Sequence, residues 1–82
     1  MKVNIKIFPI AGLFNKKQEL EIALENGDLN EALTRLQELL GVNFRENKTL
    51  MYLHNGYKLE SQNDAVFQEG DQLWLLPILS GG

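Results

Sequence analysis

Asp28-Leu29-Asn30-Glu31-Ala32-Leu33-Thr34-Arg35-Leu36-Gln37-Glu38-Leu39-Leu40-Gly41 is the stretch that decides the architecture. Leu29, Ala32, Leu33, Leu36 and Leu40 recur at helical spacing and form one apolar stripe. Asp28 is a good N-cap, because its side chain can accept from the free N–H groups of the first turn. Glu31, three residues on, completes a capping-box-like pattern with Asp in place of Ser or Thr. Gly41 suits the left-handed position just past a helix end. The spacing therefore predicts a helix over residues 29–40, whose stripe needs a face to cover.

The segments on either side supply that face. Val3, Ile5 and Ile7 alternate with Lys2, Asn4 and Lys6, the period of a half-buried strand. Pro9 cannot donate a ladder hydrogen bond, so pairing should weaken there, and Ala11-Gly12 and Asn15-Lys16-Lys17 suit a loop. Leu20, Ile22 and Leu24 alternate with Glu19, Glu21 and Ala23, which predicts an antiparallel hairpin with the first strand. Glu25-Asn26-Gly27 makes a turn into the helix. Residues 42–48 read as polar apart from Val42 and Phe44. Thr49 to His54 is rich in strand formers, Asn55-Gly56 is a tight-turn signal, and Tyr57 to Glu60 can return as a short strand. Ser61 to Asp64 reads as loop, Ala65-Val66-Phe67 as apolar plugs, and Glu69-Gly70-Asp71 as a turn. Gln72 to Leu79 is the last strand.

One helix among these strands gives an α+β, two-layer fold. The first and last strands are the most apolar and should lie centrally. As neighbours they must run parallel, because the helix-containing crossover lies between them. The expectation is a β-grasp: a mixed sheet of four to five strands with one main helix packed on one face. Residues 1–78 form the domain, and residues 79–82 form a flexible tail ending in Ser80-Gly81-Gly82.

Composition narrows the function. The 82 residues allow one small domain with a modest core. Eight basic and eleven acidic residues leave a net charge of −3, which argues against a nucleic-acid surface. With no cysteine there is no disulfide, thiolate nucleophile or thiolate metal site. His54 is the only histidine and has no ligand-like neighbours in sequence, so no metal site is expected. No apolar run reaches the roughly 18 residues that span a bilayer, and the N-terminus lacks a signal-peptide core, so a cytoplasmic protein is expected. No acid–base pair, Ser-His-Asp set or phosphate-cradling loop can be read from the chain. What stands out is the diglycine. Without Cβ atoms, Gly81 and Gly82 can carry a terminal carboxylate into a narrow site on another protein.

The order of elements and the tail resemble the MoaD/ThiS-like ubiquitin-like sulfur carriers, closest to the small subunit of molybdopterin synthase. The resemblance spans nearly the whole chain. It rests on Leu53-His54-Asn55-Gly56, on Phe67-Gln68-Glu69-Gly70-Asp71-Gln72-Leu73, and on Leu76-Pro77-Ile78-Leu79-Ser80-Gly81-Gly82. The chain departs from that pattern in having one proline before the tail, a histidine at position 54 where an aliphatic residue is common, and no Arg-Glu pair in the loop after the first strand.

The resemblance implies that an adenylating, ubiquitin-activating-like enzyme uses ATP and magnesium to activate the Gly82 carboxylate. A sulfur donor then makes a thiocarboxylate, which passes sulfur to a large molybdopterin synthase subunit or another sulfur acceptor. The chain itself would bind no cofactor and would not turn over alone. Gly81 and Gly82 are its reacting end. The family pattern turns Tyr52 inward and Leu53 outward, whereas alternation alone leaves that choice open. Phe8, Leu53, Trp74, Leu76, Ile78 and Leu79 would then form a partner-binding patch. The same features fit a thiamine-pathway or tRNA-thiolation carrier, a ubiquitin-like modifier conjugated through Gly82, or an interaction domain with an inert tail.

Overall fold

A computed structural model describes residues 1–60 and 66–78. The expected loop over Ser61 to Asp64, the plug residue Ala65, and the tail from Leu79 through Ser80 and Gly81 to Gly82 lie outside the described residues.

The chain runs β1 (Lys2–Ile7), β2 (Gln18–Ala23), α1 (Leu29–Leu40), a 3-10 turn (Phe44–Glu46), β3 (Leu50–His54), β4 (Tyr57–Lys58) and β5 (Gln72–Pro77). The sheet order is β2-β1-β5-β3-β4, with β1 and β5 parallel and central and the other pairs antiparallel. This is the expected mixed sheet under one helix. Val3, Ile5 and Ile7 of β1 and Leu73 and Leu75 of β5 are fully or almost fully buried against Leu29, Ala32, Leu33 and Leu36 of α1. Leu40, also on the predicted stripe, is half-buried at the core's edge.

Both helix ends form as their residues dictate. Asp28 accepts from the Glu31 N–H at 2.7 Å, and Gly41 stands at φ 74° with its N–H on the Gln37 carbonyl. Glu31 departs from the capping-box expectation. Its carboxylate reaches past Asp28 and accepts from the N–H groups of Glu25 at 2.7 Å, Asn26 at 2.8 Å and Gly27 at 3.0 Å. It thereby ties the β2–α1 turn to the first helical turn.

Other expectations need correction. The polar reading of residues 42–48 concealed a 3-10 turn, capped by Asn43, that drives Phe44 fully into the core. Arg45 pins this turn to α1 through the Asn30 carbonyl at 2.6 Å and the Thr34 hydroxyl at 2.6 Å. Of the apolar plugs, Phe67 is buried but Val66 is 70% exposed. The return strand is Tyr57–Lys58 alone.

Candidate functional site

The face of the sheet away from α1 sorts into rows, because residues directly opposite in register share a face. At the start of β5 the row is polar: Gln72 lies beside Asn4, and Asn4 beside Glu21. The next row runs Glu19, Lys6, Trp74, Leu53, Lys58 across all the strands. The row nearest the end of β5 pairs Leu76 with Met51, and Phe8 adjoins it, its N–H on the Leu75 carbonyl at 3.0 Å. The face thus grows more apolar toward the point where the chain leaves β5.

Phe8, Met51, Leu53, Trp74, Leu76, Pro77 and Ile78 line one shallow depression of about 460 Å³ there. Trp74 is its centre. Its ring packs against Phe8 at a centroid distance of 5.5 Å and an angle of 60°, and its indole N–H donates to the Gln72 side chain at 3.1 Å. Lys6 lays its ammonium 4.9 Å from the indole centroid. Ile78, 47% exposed, is anchored by its N–H to the Thr49 carbonyl at 2.7 Å.

Phe8, Leu53, Trp74, Leu76 and Ile78, all expected in a patch, are therefore brought together. Leu79, Gly81 and Gly82 lie outside the described residues. The inward and outward assignments on β3 are also resolved. Tyr52 packs against the core while Leu53 opposes Trp74 on the open face. Two lining residues were missed. Met51 shares Leu53's parity in β3, so the alternation already held that signal. Pro77 has the parity of the core-facing Leu75, and alternation gives no cue for it.

The opposite end of β5 is a polar lock. His54 Nε2 lies 2.8 Å from an Asp71 carboxylate oxygen, and the same carboxylate accepts from the Gln68 N–H at 2.9 Å. Asn55 accepts from the Gln72 N–H at 2.8 Å. The His54 contact first, then the Gln68 N–H and the Asn55 side chain, hold Asp71 below the usual carboxylate range. Three backbone donors, with Glu25 first, do the same for Glu31. The His54 ring also packs on Phe67 at 4.4 Å. His54 thus joins the end of β3 to Asp71 and Phe67, the residues that lead into β5. Among the described residues no group of three or more His, Cys, Asp or Glu side chains could hold a metal ion. Among them, too, no helix is long and apolar enough to cross a membrane.

No protein-family model matches the sequence, and no curated protein matches it significantly. Solved structures do match over the full fold. Molybdopterin-converting factor from Helicobacter pylori 26695, solved as a complex of its subunits 1 and 2, aligns with a TM-score of 0.64 and 23% identity over 100% of both chains. SAMP1 from Haloferax volcanii aligns at TM-score 0.76 and 19% identity, again over 100% of both chains. The small archaeal modifier protein 1 from Methanosarcina acetivorans gives 0.68 and 18% identity, over 99% of this chain and 96% of that one. At these identities the likeness is one of architecture, and with the sheet order above it makes the fold of this chain a ubiquitin-like β-grasp.

Proposed function

We propose that this chain is a sulfur carrier whose reacting group is the C-terminal carboxylate of Gly82. The observation that carries the reading is the apolar depression around Trp74, built on the strand that leads directly to Leu79-Ser80-Gly81-Gly82. A partner docked there would receive the tail that follows. In the proposed reaction a carboxylate oxygen attacks the α-phosphorus of ATP and releases pyrophosphate. A donor that delivers sulfur at the hydrosulfide level then displaces AMP from the acyl-adenylate and leaves a thiocarboxylate. ATP and magnesium belong to the activating enzyme, which also supplies the charge stabilisation. Docking makes the tail's attack effectively unimolecular.

The acceptor proposed is a large subunit of the molybdopterin synthase kind, by analogy with the two-subunit Helicobacter complex. The setting is the cytoplasm, where ATP is available. A second reading has an observation of its own behind it. Two of the similar structures are SAMP1 proteins, one described as a small archaeal modifier, so conjugation of Gly82 to target lysines is the alternative.

Intact-mass analysis of the chain isolated from its native cells tests both. A carrier ending at Gly82 gains about 16 Da, oxygen replaced by sulfur, and loses that form when Gly82 is deleted. Isopeptide-linked adducts without the mass gain favour the modifier. Unchanged mass with neither product, and full function of a chain lacking Gly82, overturn the proposal.

A further inference from the structure

The row through the centre of the open face reads Glu19, Lys6, Trp74, Leu53, Lys58, one residue from each strand. Its two apolar members are therefore bracketed by lysines, Lys6 on one side and Lys58 on the other. On the Lys6 side the charge is not balanced. Glu19 lies 3.5 Å from the Lys6 ammonium and also 3.5 Å from that of Lys17, while Glu21 lies 3.9 Å from that of Lys2, so two carboxylates face three cations. The adjoining depression has no charged residue in its lining. The chain as a whole carries a net charge of −3, so this cationic border runs against the trend of its own composition.

An apolar surface with positive borders is complementary to one kind of protein surface. We propose that the partner docking on this face presents an apolar ridge flanked by carboxylates. The carboxylates meet Lys6 and Lys58 while the ridge covers Trp74 and Leu53. The inference rests on the docking role proposed above and adds the chemistry of the opposing surface. The ridge supplies most of the affinity. The lysines set its register and speed its approach, which is what charges at the rim of an interface do. Lys6 is well placed for this, since its ammonium already lies over the indole and its side chain is 29% exposed.

The test uses the full-length chain and two short synthetic helical peptides that share one Leu/Phe ridge. One carries Glu on both sides of the ridge, the other Lys. Binding is followed by NMR at the Trp74 indole N–H. The Glu-flanked peptide is expected to bind about tenfold more tightly, two exposed ion pairs against two repulsions. That advantage is expected to disappear in Lys6→Gln/Lys58→Gln and at high salt, and to survive Lys16→Gln. Equal binding of the two peptides, or no response of the indole to either, overturns the inference. So does tighter binding of a single-stranded RNA of equal charge. None of these outcomes bears on the mass of Gly82, so the carrier reading stands or falls separately.

Discussion

Gly27 stands at φ +77°, and a Cβ placed on it would lie 2.8 Å from the Phe67 carbonyl oxygen and 2.9 Å from Met1 Sδ. The backbone itself is engaged there, since the Phe67 N–H donates to the Gly27 carbonyl at 2.7 Å. Gly27→Ala therefore meets both a disfavoured backbone conformation and a backbone clash. A loss of about 1–3 kcal/mol in a urea melt is expected. The sequence marks Gly27 as a turn residue, but its contact with Phe67 is long-range and leaves no local trace. Two carboxylates give the matching prediction for acid. Asp71 and Glu31 titrate in the folded state below their ordinary values of 3.8 and 4.5. The unfolded chain thus binds more protons in acid. Their contribution is fully present above those values and is lost as the pH falls through the lower, folded ones. Stability measured from pH 6 downward should fall, with a shallower acid slope in Asp71→Asn and in Glu31→Gln. An unchanged slope in both would remove these carboxylates from the account.

At the scale of elements, α1 was legible because each of its signals is local: an N-cap, a stripe, a closing glycine. Leu36 is at the centre of the stripe and fully buried. Leu36→Ala is expected to destabilise by roughly 2–5 kcal/mol, checked by denaturant melts at constant slope. The strands were legible for the same reason, since alternation fixes which side chains share a face. Short elements were not. The 3-10 turn at Phe44–Glu46 lies in a polar stretch, and its buried aromatic is held by Arg45 bonds to a helix fifteen and eleven residues away. Val66 and Phe67 look alike in sequence, yet only Phe67 has a carbonyl partner on Gly27 and a histidine ring to pack on. Local apolarity cannot separate two such neighbours when one long-range hydrogen bond decides between them.

For the whole molecule, the decisive feature is that β1 and β5 are parallel and adjacent. This pairing buries one face of each strand under α1 and leaves Trp74 and Leu76 on the other, beside Phe8. It also sets the apolar depression at the end of β5 rather than its start. The patch was readable once the parity of β5 was fixed, and its cationic border was not, because it needs the register of all the strands at once. The division of labour this implies can be measured. Trp74→Ala removes a half-buried ring from the open face while Leu73 and Leu75 keep the core closed. Binding to the proposed activating enzyme, followed by ATP–pyrophosphate exchange, should weaken by about 2 kcal/mol or more, as for a central interface aromatic. Folding stability should fall by less. Deleting Gly82 should separate the two further: exchange is abolished while the melt is unchanged, since among the described residues the buried core ends at Leu75. A Trp74→Ala chain that melts far lower yet exchanges normally would place the indole in the stability of the sheet and leave the depression without a partner.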